Sequence, residues 1–130
     1  MELKLCISDV KGVCTNCVYP YEVTATSSDE LKKAVQFDHV CAVYKNHYRA
    51  NDKFLSSQCI PMDCDNDHTD DPNEWVTPDA LENEFADVKS AVTYSRNHMK
   101  VKGSVSARPR FHVYFEIPEM KDPDAYSKLK

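Results

Sequence analysis

The chain has 130 residues, of which 42% are hydrophobic and 28% charged, and its net charge is −5 at pH 7. This composition is ordinary for one folded domain, or part of one, and excludes a disordered chain. Only two glycines are present, Gly12 and Gly103, which excludes the nucleotide-binding folds that need a glycine-rich phosphate loop. The negative charge argues against a protein that binds nucleic acid over its whole surface, although a local basic patch remains compatible with it.

The first part of the chain predicts extended segments followed by a short helix. Residues 3–7 are typical of a strand, and residues 21–26 also favour an extended backbone. Ser27 or Ser28 can cap a helix over residues 29–36, whose first turn is acidic and therefore suits the positive end of the helix dipole. These local signals predict that sheet and helix are mixed from the start.

The predicted chemical centre is the stretch 58–68, QCIPMDCDNDH. An apolar run leads directly into Asp63, Cys64 and Asp65, so the run predicts a strand that ends in acidic residues. The two-residue period of a strand places Asp63 and Asp65 on one face and Cys64 on the other. Adjacent carboxylates repel each other unless a cation lies between them, and Mg²⁺ or Mn²⁺ favours such oxygen ligands.

The rest of the chain predicts helices and strands in alternation. Thr77-Pro78-Asp79 is a strong helix start, with the threonine as N-cap and the proline in the first turn. Residues 89–95 favour a strand, and residues 108–117 (RPRFHVYFEI) alternate clearly between apolar and polar side chains. Asp122-Pro123-Asp124 opens a last helix. The predicted fold class is α+β, with a mostly antiparallel sheet and helices on one side.

The acidic run has four interpretations. A calcium loop fits Asp63, Asp65, Asp67 and Glu74 by spacing, but it would need glycine where His68 stands and an incoming helix that is missing. A solvated acidic turn explains the residues after position 66 and explains the first two carboxylates poorly. A metal-dependent nuclease and a metal-dependent nucleotidyl transferase both use paired carboxylates that hold divalent cations.

Cationic side chains favour nucleotidyl transfer among these alternatives, because a triphosphate needs positive donors. Arg96 and His98 follow one predicted strand, and Arg108, Arg110 and His112 belong to the next. His112 shares its strand face with Arg110 and not with the apolar set, so we expect it to bind phosphate and not to be a core histidine. A further basic and aromatic cluster, suited to a nucleic acid or a base, is formed by Tyr44, Lys45, Tyr48 and Arg49.

The motifs PMDCDND, at the end of one strand, and RFHVYF, on a later one, together resemble the archaeo-eukaryotic primase superfamily, in particular the primase–polymerases of phages and mobile elements. The resemblance covers roughly residues 37–117. It implies an RRM-like catalytic core that makes primers on a single-stranded DNA template from nucleoside triphosphates, with Mg²⁺ or Mn²⁺. By this resemblance Asp63 and Asp65 bind the metal, and His112 contacts the triphosphate.

Further expectations follow from the same resemblance. Ser95 and Arg96 lie where such proteins also approach the nucleotide, and Arg110 is expected to grip the triphosphate beside His112. A helicase domain or protein is an expected partner in the replication of a phage or mobile element. The family's third acidic residue is not found on a strand beyond His112, so we expect residues 1–130 to be a single domain cut from a longer catalytic domain, with little activity alone.

The apolar segments and the six cysteines indicate in which cellular compartment the protein works and whether its thiols are free. No apolar stretch approaches the roughly 20 residues of a membrane span, and the N-terminus lacks a signal-peptide core, so we expect a cytoplasmic protein that does not bind membranes. Free thiols are then favoured over disulfides. Cys14 and Cys17 alone have metal-ligand spacing; a structural Zn²⁺ would need two more ligands, and an ordinary pair of loop thiols is the favoured interpretation.

Overall fold

The computed structural model describes the whole chain, from Met1 to Lys130. It contains seven strands and three helices, joined by loops with three short 3₁₀ turns. The strands are β1 (Leu3–Ile7), β2 (Tyr21–Ala25), β3 (His39–Val40), β4 (Val43–Tyr44), β5 (Phe54–Cys64), β6 (Ser90–Tyr94) and β7 (Phe111–Met120). The helices are α1 (Ser28–Ala34), α2 (Pro78–Glu84) and α3 (Pro123–Leu129).

The strands form two antiparallel sheets. The first has three strands in the order β2-β1-β3, and the second has four in the order β4-β5-β7-β6. β4 pairs only with the beginning of β5, opposite Phe54 and Ser56, so no strand covers that edge of β5 further along. The predicted α+β class with an antiparallel sheet is confirmed, whereas the RRM-like core remains a prediction.

Local capping explains where α1 begins. The Ser27 hydroxyl accepts a hydrogen bond from the Glu30 backbone N–H at 3.2 Å. The Glu30 carboxylate in turn accepts from the Thr26 N–H at 2.8 Å, which gives a reciprocal cap of the kind that short helices need. The hydrogen bonds from the Thr26 backbone N–H and the Thr26 hydroxyl lower the pKa of Glu30 below its usual value. The inner face of α1 then buries Leu31 and Ala34.

Strand β7 lies between two apolar cores, because its successive side chains point to opposite faces of the sheet. Tyr114 belongs to a core that joins both sheets and α1, whereas Phe111, Val113 and Phe115 form a second core on the opposite face of β7. Leu81 of α2 packs against this second core. The helices therefore do not share one side of the second sheet, contrary to the sequence-based prediction, because both faces of its strands carry apolar residues that need cover.

The last two helices begin at the predicted N-caps. The Thr77 hydroxyl accepts from the Ala80 N–H at 3.2 Å, and the Asp122 carboxylate accepts from the Asp124 N–H at 3.0 Å. α3 is tied to β5 by Tyr126, whose buried hydroxyl donates to the Cys59 carbonyl at 2.8 Å. None of the three helices is long and apolar enough to cross a membrane.

Candidate functional site

The β-sheet register brings the predicted site residues together on one face of the second sheet. Asp63 on β5 lies directly opposite His112 on β7. Just past the end of β5 and just before the start of β7, the carboxylate of Asp65 lies 3.9 Å from the guanidinium of Arg110. The Ser95 N–H, just beyond β6, donates to the Arg110 carbonyl at 3.0 Å and extends the ladder to the third strand. Strand pairing thus assembles side chains that are far apart in the chain.

Asp63 and His112 form the exposed part of this arrangement. The Nδ1 atom of His112 is 3.3 Å from Oδ1 of Asp63, and the two side chains are 38% and 59% exposed, in the order histidine and aspartate. Both side chains are accessible to a ligand.

Arg110 is placed differently from a free phosphate donor. Its side chain is only 1% exposed, and its Nη2 atom lies 2.9 Å from Oδ1 of Asp67. The contacts with Asp65 and Asp67 are ion pairs, and the buried guanidinium nitrogens have no other hydrogen-bond partner within the protein. The contact with Arg110 lowers the pKa of Asp67. The guanidinium therefore supplies part of the positive charge that Asp65 and Asp67 require, while its predicted contact with a triphosphate stays a prediction.

Arg108 is also buried, and it anchors the acidic loop. Its Nη1 atom donates to the carbonyls of Asn66 and Thr69, each at 2.8 Å, and its Nη2 atom lies 2.5 Å from Oδ1 of Asp70. Its guanidinium also lies over the ring of Trp75, 5.5 Å from the ring centroid. The sequence predicted Arg108 to be one of the donors to a ligand, but the structure shows it satisfying loop carbonyls.

Asn66 is a structural residue that sequence reasoning did not identify. Its backbone is left-handed, with φ of 55°, a conformation that asparagine tolerates better than most residues. The buried side-chain amide donates to the carbonyls of Val76 and Pro109, each at 2.9 Å, and accepts from the Val76 N–H at 2.7 Å. Asn66 thereby fixes the chain immediately after the predicted metal ligands.

A cleft of about 680 Å³ opens beside this face, between the second sheet and the α1–β4 segment. Ser95, Arg96 and His112 line one side, and Lys32 and Arg49 are among the residues on the others. No aspartate or glutamate lines it, although the chain as a whole carries a net charge of −5. Its remaining lining residues are Val35, Gln36, His39, Val40, Cys41, Ala42, Tyr44, Pro61, Thr93, Tyr94, Tyr114, Tyr126 and Lys130.

A second hollow, of about 600 Å³, adjoins the cleft and shares Arg49, Arg96 and His112 with it. Arg49 and Tyr44 belong to the basic and aromatic cluster that the sequence indicated, and the guanidinium of Arg49 lies 5.7 Å from the centroid of the Tyr19 ring. The sequence did not indicate that Lys32 lines the cleft, because the pattern of a short helix does not reveal which surface an exposed lysine faces.

His39 is a neutral residue between the two sheets. Its Nδ1 atom is 2.8 Å from the Phe37 carbonyl, which can only accept, so Nδ1 carries the proton. Nε2 then accepts from the Tyr114 hydroxyl at 2.9 Å. Burial lowers the pKa of His39 and raises that of Tyr114, and both shifts favour the neutral forms. His39 contributes shape and hydrogen bonding to the cleft instead of charge.

The carboxylates can serve as part of a divalent-metal site. Asp63 near the end of β5 and Asp65 just beyond it are 59% and 46% exposed. No group of three His, Cys, Asp or Glu side chains is close enough to hold an ion alone. Mg²⁺ commonly binds one or two carboxylates and completes its shell with water and phosphate oxygens, so this pair fits a metal brought together with a phosphate ligand. Cys14 and Cys17 are free thiols.

Comparison of the chain with protein-family models, curated proteins and solved structures gives no match. The function of the cleft therefore has to follow from its own residues.

Proposed function

We propose that the cleft binds a nucleoside triphosphate and that the protein is a nucleotidyl transferase of the primase–polymerase kind. The observation that carries the proposal is the contact between Asp63 and His112, where His112 also lines a cleft that has cations and no acidic side chain. A carboxylate for a metal and a donor for a phosphate are thus adjacent. This pairing is what metal-dependent phosphoryl chemistry requires.

The size and lining of the cleft suit a nucleotide. Its volume of about 680 Å³ lies within the range of small-molecule sites. The half-buried Tyr44 gives one part of the cleft an aromatic surface for a base, while Arg96 and Arg49 give the phosphates positive partners. A purely anionic ligand such as free phosphate would not need the aromatic part.

Each residue then has a specific part in the reaction. Ser95, Arg96 and His112 hold the β- and γ-phosphates and offset the charge that develops on the leaving pyrophosphate. Arg110, held beneath Asp65 and Asp67, keeps the acidic loop in position. Mg²⁺ or Mn²⁺ on Asp63 and Asp65, when bound, would supply Lewis-acid stabilisation of the transferring phosphate.

The biological setting comes from the resemblance of the two motifs to phage and mobile-element primase–polymerases. On this basis the proposed reaction is template-directed primer synthesis on single-stranded DNA in the cytoplasm, with a helicase domain or protein as partner. A metal-dependent phosphodiesterase would use the same carboxylates but would not need a triphosphate.

The direct test is titration of a nucleoside triphosphate, with Mn²⁺ present, into the wild type, His112→Ala and Arg96→Ala. We expect each variant to bind about tenfold more weakly or worse, because each loses a charge-assisted hydrogen bond to phosphate. His68→Ala is the control, since His68 is exposed and donates to the Glu74 carbonyl away from the cleft. Equal affinity of His112→Ala and His68→Ala, or no binding by the folded wild type, would overturn the proposal.

A further inference from the structure

The segment from residue 88 to residue 115 is strongly basic in an acidic protein. None of the chain's 21 acidic residues falls in it, and it contains six lysines and arginines. Two of these, Arg108 and Arg110, are buried and paired with acidic residues of the neighbouring loop. Arg96, Lys100 and Lys102 are exposed in the connection between β6 and β7. Lys102 lies near enough to Asp67 to help lower the pKa of that carboxyl, but none of the three cations forms an ion pair within the protein, so each can contact an external partner.

An aromatic side chain stands beside these cations. Tyr94, the last residue of β6, is 57% exposed. Its ring packs on the ring of His98 with the centroids 4.4 Å apart. His98 is itself held in place, because its Nδ1 atom accepts the backbone N–H of Arg110 at 3.2 Å. The Tyr94 ring is thus fixed by its neighbour while much of its surface remains open to solvent.

A fixed aromatic ring beside exposed cations suits a ligand that has both free base faces and phosphates. We infer that this surface, made of Tyr94, Arg96, His98, Lys100 and Lys102, binds single-stranded nucleic acid. A base stacks on the Tyr94 ring, and the following phosphates contact the two lysines. A duplex does not satisfy the same surface, since its bases are already stacked on each other and offer no free face.

This surface is continuous with the cleft, because Tyr94 and Arg96 also line it. The inference therefore rests on the proposed function and deepens it by placing the polynucleotide partner next to the triphosphate. Phosphate binding and stacking do not distinguish DNA from RNA strands, so both are included in the test. An acidic protein partner would use the lysines but gain little from an open ring face.

The first experiment measures fluorescence anisotropy of labelled oligothymidylate and oligouridylate, each about 12 nucleotides long, a length within the usual range of such sites. Tyr94→Ala is expected to bind both roughly 5- to 100-fold more weakly than the wild type, the effect of losing one stacked base. Tyr21→Ala is the matched control, because Tyr21 is 52% exposed on β2 of the other sheet. Equal affinity of the two variants would refute the stacking role.

The second experiment tests the lysines through the salt dependence of binding. For the double variant Lys100→Gln/Lys102→Gln, the slope of log affinity against log salt should fall by about 0.7 for each phosphate that the protein no longer neutralises. Lys4→Gln/Lys121→Gln is the control, with the same change in net charge at exposed positions on β1 and before α3. An unchanged slope in the first pair, or tighter binding of a duplex than of its single strand, would overturn the inference.

Triphosphate titration of the same lysine variants separates this inference from the proposed function. Lys100 and Lys102 do not line the cleft, so triphosphate affinity should be unchanged while oligonucleotide affinity falls. A wild type that binds the oligonucleotide through Tyr94 but binds no triphosphate would disprove the proposed function and support the strand-binding surface. Circular dichroism of every variant confirms that the fold is retained.

Discussion

Replacement of Arg108 by methionine should loosen the acidic loop that follows β5. The variant keeps most of the buried volume and removes the guanidinium. The Asn66 carbonyl then loses its donor at 2.8 Å within a buried environment, whereas the Thr69 carbonyl still accepts from the Trp75 indole N–H at 3.0 Å. Asp70 is 90% exposed and returns to water at little cost.

These interactions set the expected size of the effect. One buried carbonyl without a donor costs about 1–3 kcal/mol, and the loss of the charge-assisted bonds to Thr69 and Ser106 adds to it. We expect a decrease of about 2–4 kcal/mol in the free energy of unfolding. For a chain of this size, that corresponds to a decrease in Tm of roughly 6–15 °C.

Trp75 provides the assay, because it is the chain's one tryptophan and lies against the guanidinium that is removed. Urea unfolding of Arg108→Met should be followed by its fluorescence and by far-UV circular dichroism. Lys121→Met, at an exposed position, is the control and should change stability by less than about 0.5 kcal/mol. A decrease below about 1 kcal/mol in Arg108→Met would show that Arg108 does not anchor the loop.

Two further predictions concern the interior. Tyr126→Phe should lower the free energy of unfolding by about 1 kcal/mol, measured by urea titration, because the Cys59 carbonyl loses a buried donor. The control is Tyr21→Phe, at an exposed position. A decrease for Tyr126→Phe no larger than that for Tyr21→Phe would contradict the prediction. Burial lowers the pKa of His39, so the unfolded chain takes up a proton that the folded chain does not, and stability falls as pH drops through about 6.5. His39→Gln should therefore lose less stability between about pH 7 and pH 5 than the wild type, and an equal decrease would contradict the buried, neutral state.

Features that depend on near neighbours in the chain were predictable from the sequence. The N-cap at Thr77 and the proline that follows it act within one helical turn, so their pattern sufficed to place α2. The alternation of residues 111–117 likewise reflects a strand whose two faces meet different surroundings. It correctly placed His112 on the face opposite Phe111, Val113 and Phe115. The pairing of Asp63 with His112 was implied only through the family resemblance.

Features that depend on distant partners were not predictable. Arg108 and Arg110 look like free cations in the sequence, but both guanidinium groups are buried against a loop about 40 residues earlier in the chain. Nothing in the local pattern distinguishes such an anchor from an exposed donor, because an arginine stem can lie on apolar surface in either case. The division into two sheets also escaped prediction, since it depends on which strands pair and not on where strands occur.

The open edge of β5 has a consequence for solubility. At Cys59 this edge is closed by α3, whose Tyr126 hydroxyl donates to the Cys59 carbonyl. From Pro61 onward no strand pairs with it, so a strand from another molecule can add there, as happens in aggregation. Pro61 lies in this stretch and has no N–H to offer, and the charged Asp63 follows two residues later. The carboxylate assigned here to chemistry therefore also helps to keep copies of the protein apart, so variants that neutralise it carry an aggregation risk separate from any loss of activity.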